Sequence, residues 1–285
     1  GEPEPVVNGV VNFYSLGFGG EMTVEFAQPI ANGTGPDVRL SEATWDGKVC
    51  SNYPESAHVF ASQDGLFYAY LGKACHSESF DLGSLSWAKF IKILDDTDPS
   101  SFPANADGFD VNGITCLNGT ATETPDGGLD GCSLQKVISY EPGTRKDGQP
   151  VDHNRRNPEK ALGVPENNDT YNFVSLGFGG TLVVGFDHVI FNRPGNDIKV
   201  IETSFGSPNC TSYPENAEIS ASYDLVSWTV LDTICQDSEV DLGILPFAQF
   251  LKFRDLSDKT KFGGSDEGYD VDGVIALFDD CEAIG

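Results

Sequence analysis

The stretches NFYSLGFG at residues 12–19 and NFVSLGFG at residues 172–179 differ at a single position. Their offset of 160 residues holds without a gap for about a hundred residues. Asp37 falls on Asp197, Glu42 on Glu202, Cys50 on Cys210 and Cys75 on Cys235. Tyr53-Pro54-Glu55 falls on Tyr213-Pro214-Glu215, Asp95 on Asp255, and GFDVNG at 108–113 on GYDVDG at 268–273. Chance does not align so many landmarks in one register, so the chain reads as a tandem duplication.

Between the landmarks the apolar residues recur with period two, as half-buried strands require. Met22, Val24 and Phe26 alternate with Glu21, Thr23 and Glu25, and Ile91 and Ile93 lie between Phe90, Lys92 and Leu94. The second copy repeats this with Leu182, Val184 and Phe186, then Ile198 and Val200, then Leu251 and Phe253. Thirty-two Gly and sixteen Pro punctuate these runs, which implies many turns and few long helices. The reading is all-β: two tandem jelly-roll β-sandwich domains. Repeat 1 is expected over residues 1–116, a linker over 117–131, and repeat 2 over 132–285.

The ends are out of phase with the repeat. Residues 132–162, which open the second copy, have no equivalent in the first, whose GEPEP start matches GVPE at 163–166. Asp280-Cys281-Glu282 resembles Gly131-Cys132-Ser133, the opening of a further copy. The expectation is a window of a longer array, or a subunit whose first domain is completed by a strand from elsewhere. Neighbouring copies, head to tail, or further repeats are then the partners.

With 44 Asp and Glu against 17 Lys and Arg, the formal net charge is −27. Phosphate recognition needs clustered cations, so nucleic acid is excluded as a partner. No run of about 18 apolar residues occurs, so membrane insertion is not expected.

Cys50 and Cys75 are separated by 25 residues, as are Cys210 and Cys235. Duplicated spacing predicts a disulfide in each copy and an oxidising, extracellular or cell-surface setting. Cys116 faces Ala276 in the repeat register, so a Cys116–Cys132 bond across the linker is expected, leaving Cys281 for an intermolecular partner. Asn32, Asn118, Asn168 and Asn209 lie in N-x-S/T sequons and are candidate glycan acceptors.

Carboxylates that keep step with the buried faces are the candidates for chemistry. Glu42 and Glu202 continue the inward parity of Leu40 and Val200, and Asp95 and Asp255 that of Ile93 and Phe253. Asp98 and Asp258 follow closely, then Asp110 with Asn112 and Asp270 with Asp272. A buried carboxylate needs a partner or a metal, and such an oxygen-rich set suits Ca2+. A hydrogen-bonded polar turn cluster is the competing account. No GxSxG motif occurs, and none of the four His residues recurs between copies, so nucleophilic catalysis has no base. Trp45 and Phe205, Phe67 or Trp228, and Trp87 and Phe247 are aromatic candidates either for the core or for stacking on sugar.

RNPEKALGVPE (156–166), VSLGFGGTLVVGF (174–186), NDIKVIET (196–203), YPENAEISAS (213–222) and GYDVDGV (268–274) together resemble a known group. They are similar to the jelly-roll repeats of large bacterial surface and secreted proteins, especially of Bacteroidota, with a discoidin-like or galactose-binding-like architecture. The resemblance implies secretion, bound calcium, and a role in adhesion, surface layers or carbohydrate contact. The function expected is a non-enzymatic, calcium-stabilised extracellular structural or adhesive repeat, part of an array or filament. The alternative is a lectin-like pair of modules that contacts surface glycans.

Overall fold

The computed structural model describes residues 6–7, 10–43, 49–121, 132–165, 171–204 and 209–277. The chain divides into two compact units, Gly1–Gly128 and Leu129–Gly285. Both are all-β.

Unit 1 contains β1 (Val6–Val7), β2 (Val10–Val11), β3 (Tyr14–Ser15), β4 (Glu21–Ala31), β5 (Val38–Glu42), β6 (Ser56–Ser62), β7 (Ala69–Cys75), β8 (Glu78–Phe80), β9 (Trp87–Asp95) and β10 (Asp110–Cys116). Besides a short β1–β2 hairpin, they form two four-stranded sheets, β3-β10-β5-β8 and β4-β9-β6-β7. Unit 2 contains β11 (Lys136–Glu141), β12 (Val174–Ser175), β13 (Thr181–Phe191), β14 (Ile198–Glu202), β15 (Ala217–Ser222), β16 (Thr229–Ile234), β17 (Ser238–Val240), β18 (Phe247–Asp255) and β19 (Asp270–Ala276). Its sheets are β12-β19-β14-β17 and β11-β13-β18-β15-β16.

Strand for strand, the two four-stranded sheets of unit 1 recur in unit 2 in the same order at the 160-residue offset. In unit 2 an extra strand, β11, covers the outer edge of β13. The core of unit 2 draws on both sheets: Leu182, Val184, Phe186, Leu251 and Phe253 from one, Ile198, Val200, Val271 and Val274 from the other. Side chains of two sheets interdigitating over one apolar layer make a β-sandwich. Alternation puts these residues inside and Lys252 and Arg254 outside along β18, the period-two pattern of the sequence.

Cys50–Cys75 and Cys210–Cys235 are disulfides in the structure. The expected Cys116–Cys132 bond does not form. Cys116 is a free thiol held against the Gly119 carbonyl at 3.0 Å, and Cys132 is disulfide-bonded to a different partner. Position 276 is a buried alanine on β19, so unit 2 builds the same strand with no cysteine there. Cys281 lies outside the described residues.

Trp87 and Phe247 belong to the buried interior, which settles them as packing residues. Lys252 sits over the half-buried Trp228 ring at 4.4 Å from its centroid. Trp45 and Phe205 lie outside the described residues. Among the described residues no helix is long and apolar enough to cross a membrane.

Candidate functional site

The repeated glycine turns and the repeated aspartates belong to one device. At the end of β9, Asp95 is buried and accepts from the Gly19 N–H at 2.8 Å, the Phe109 N–H at 2.9 Å and the Thr97 hydroxyl at 2.7 Å. It thereby ties the SLGFGG turn to the GFDVNG turn. Asp255 does the same for Gly179 and Tyr269 in unit 2. Burial raises the Asp255 carboxyl to about 6, and hydrogen bonds from Ser257 and these amides oppose the shift. Gly108 and Gly268 have φ of +76° and +79°, and a Cβ on Gly268 would come within 2.7 Å of Asp255 Oδ2. Only glycine fits both the left-handed backbone and that approach.

Asp95 and Asp255 thus accept hydrogen bonds from the amides of both turns. Asp98 and Asp258 cap 3-10 turns through the Ser100 and Thr260 amides, each at 2.9 Å, and are exposed rather than joined to the buried set. Asp37 and Asp197 play a third structural part. Asp37 accepts from the Gly33 and Leu82 amides at 2.6 and 2.8 Å, and Asp197 from those of Arg193 and Leu242, both at 2.8 Å.

The remaining acidic candidates do gather in unit 2. Glu202 ends β14, Asp270 begins β19, and Asp272 occupies the bulge where the β14–β19 register shifts. All three are buried, and they are joined by Glu215 of the Tyr-Pro-Glu motif. Burial, reinforced by Asp270 and Glu202, lifts the Glu215 carboxyl to about 10, and burial lifts Glu202 to about 7. The Ser204 hydroxyl donates to Glu202 at 2.6 Å. Asp270 is raised well above the ordinary carboxyl range, first by burial, and its Oδ1 has no hydrogen-bond partner. In unit 1 the buried Asp110 likewise has an unpartnered Oδ1. Glu42 lies 3.8 Å from His76 Nδ1, and Asn112 occupies the β5–β10 bulge.

The donor chemistry of Glu202, Glu215 and Asp270 suits a hard cation, and an orphaned buried oxygen points the same way. The spacing is looser than a finished cage. Among the described residues, the one group of three His, Cys, Asp or Glu ligand atoms within 4.8 Å of one another is Cys50, Cys75 and His76, whose sulfurs are already bonded.

Beside this acidic floor lies a cleft that the repeat register did not reveal. Two adjoining lobes of about 610 and 530 Å³ share Arg155, Ser265 and Glu267. One lobe adds Arg145, Asp152, Asn154, Lys160, Tyr171 and Phe173; the other adds Ser204, Tyr213, Glu215 and Asp270. Glu267 is buried at the junction, accepting from the Asp152 N–H at 2.6 Å, with Arg155 Nη1 at 3.4 Å. Arg155 also lies over the Phe173 ring at 5.2 Å, which holds its fork in place. Tyr171 is 81 % exposed on the rim. Arg145, Asp152, Asn154, Arg155 and Lys160 come from the opening segment with no counterpart in repeat 1, and position 171 matches Val11. Comparison of the two copies is therefore blind to them. Glu215, by contrast, is signalled by the repeated Tyr-Pro-Glu, which reads more readily as a turn marker than as a buried acid.

Comparison with known proteins adds resemblance without membership. No family model and no curated protein matches the chain. Among solved structures it is similar to a fucosidase-like protein from Bacteroides ovatus, at 11 % identity and a TM-score of 0.25, with 93 % of this chain and 37 % of that one covered. It is also similar to the family 32 carbohydrate-binding module of Streptococcus pneumoniae EndoD, at 9 % identity and a TM-score of 0.33, with 50 % of this chain and 95 % of the module covered. The chain thus spans little more than a third of the first of these proteins.

The sequons divide by what their amides already do. The Asn32 side chain donates to the Gly83 and Leu85 carbonyls, as Asn192, which has no sequon, does to Gly243 and Leu245. Asn118 donates to Asp37 at 2.7 Å. A glycan on either nitrogen would compete with these bonds. Asn209 is exposed and uses its oxygen to accept from the Thr211 and Ser212 amides. Asn168 lies outside the described residues.

Proposed function

We propose that this chain is a non-enzymatic extracellular binding protein whose second unit holds a carbohydrate in the cleft between Arg145, Arg155, Tyr171 and Glu267. The cleft carries the reading. Its lobes fall in the size range of small-ligand sites. A sugar offers hydroxyls that both donate and accept, together with an apolar C–H face. Arg155, Asn154, Asp152 and Ser265 supply donors and acceptors at fixed positions, and the exposed Tyr171 ring supplies a flat apolar surface. The disulfides support an oxidising setting. On a surface chain, such a site would serve adhesion.

Calcium is the second part of the proposal. Glu202, Glu215 and Asp270 would hold it, the ion lowering the cost of keeping three acids buried together.

A glycan array probed with the intact chain tests the first part. Binding to a defined glycan is expected, weakened at least tenfold by Tyr171→Ala with no change in melting temperature. Silence across the array, or release of free sugar from a bound glycan, defeats it. Melting in calcium against chelator tests the second part, and identical curves sink it.

A further inference from the structure

We infer that the outer edge of β4 in unit 1 is a docking site for an extended segment of the same kind as Cys132–Pro165, the segment that closes unit 2. The two units supply the comparison. In unit 2, β11 pairs antiparallel with β13, Val137 opposite Val184 and Tyr140 opposite Leu182. Leu134, Val151 and Ala161 of the same segment are fully buried. Main-chain bonds run from Gln135 N–H to the Gly185 carbonyl, from Gly143 N–H to the Leu176 carbonyl, and from Phe178 N–H to the Thr144 carbonyl.

In unit 1, β4 is the terminal strand of its sheet among the described residues; Thr120 bridges its outer edge at Ile30, and the Glu21–Glu25 stretch pairs there with no described residue. The residues corresponding to the covered set are less buried against the described residues. Leu182, Val184 and Phe186 are completely buried, whereas Met22, Val24 and Phe26 are each only partly buried. Phe178 is 5 % exposed and Phe18 is 38 %. The glycine turn tells the same story. A Cβ on Gly177 would strike Val151 Cγ2 at 2.6 Å, while Gly17 has no described neighbour within 4 Å. An open edge flanked by half-exposed apolar side chains is a template for strand addition.

The occupant follows from the register. It is a strand with apolar residues where Val137 and Tyr140 stand, to meet Val24 and Met22, preceded by a leucine and followed by small residues for the layer beneath. Charge agrees at one end. The position of Lys136, opposite Gly185 in unit 2, falls opposite Glu25 in unit 1, whose carboxylate already has Lys89 at 3.6 Å. At the other end Glu141 meets Glu21, whose carboxylate already binds Lys92 at 2.7 Å. Residues 132–165 of a neighbouring molecule cannot serve without opening that molecule's own unit 2, so the donor is a segment of this sequence type other than residues 132–165.

The test uses the intact chain and a synthetic peptide of residues 132–165 carrying Cys132→Ser. Calorimetry is expected to give a one-to-one complex, and hydrogen exchange is expected to show protection at residues 21–25. A second peptide bearing Leu134→Asp and Val137→Asp is expected to bind at least tenfold more weakly. The inference is overturned by the absence of a complex, by equal binding of the two peptides, or by protection appearing at residues 181–185 instead, which would signal exchange into unit 2.

Discussion

Replacing Glu202 by glutamine is expected to stabilise unit 2 by an amount that grows as the pH rises from about 4.5 to about 7 and is constant above that. Glu202 is buried beside Glu215, and burial moves its carboxyl from 4.5 to about 7. A carboxyl that binds its proton more tightly folded than unfolded contributes stability at low pH and loses it as the pH rises to the folded value. At roughly 1.4 kcal/mol per tenfold change in proton affinity, ionised Glu202 costs unit 2 at most about 3 kcal/mol above pH 7. Glutamine carries no charge to bury. Its oxygen can still accept the Glu215 proton, and the Ser204 hydroxyl can turn to accept from its amide. For a domain of this size, 3 kcal/mol corresponds to at most ~6–12 °C in the melting temperature. Thermal melts of wild type and Glu202→Gln in excess chelator, followed from pH 5 to pH 8.5, read this directly. The variant's advantage should be at most about a third as large at pH 5 as at pH 8.5. A shift of equal size at both ends, or a variant that melts lower at pH 8.5, would falsify the account of the pair.

Two further outcomes concern the frame. Asp95→Asn places an amide NH2 against donors that now share a carboxylate, and should cost unit 1 about 3 kcal/mol, with an unchanged melt counting against the tie between the glycine turns. Removing Cys50 and Cys75 together frees a loop closed over 25 residues, for an expected loss of about 3 kcal/mol in denaturant titration.

The strands were legible because their pattern is carried by many residues at once. One face of β9 and β18 is built on alternating apolar residues such as Ile91 and Ile93 or Leu251 and Phe253, and a polar exception leaves the period intact. Asp95 and Asp255 were correctly placed inside by that parity, yet their task was not. Parity says that a side chain points inward and nothing about which amides will meet it, and those amides belong to turns 76 residues upstream and 14 residues downstream of Asp95. The cleft was illegible for a different reason. Duplication directs attention to what recurs, and Arg145, Arg155 and Tyr171 occur once. Lone charged residues in a loop look like solvated surface until the fold brings Glu267 between them. Sequence position cannot pair Cys116 with Cys132, because a disulfide depends on how two backbones approach.

The bonds to Asp95 also bear on how the polypeptide comes to be made. Its carboxylate sits in the middle of the first unit, and the groups that satisfy it lie far behind it and some way ahead. As the nascent chain leaves the ribosome, residue 19 is long exposed before residue 95 appears, and residue 109 is still to come. Until that last turn emerges, the aspartate has no dry place to go, and the sheet that carries it gains little by closing. Contacts of such long range make folding slow and keep it late. Each unit should therefore stay open to chaperones and proteases through most of its synthesis, then close in one step when its final strand arrives.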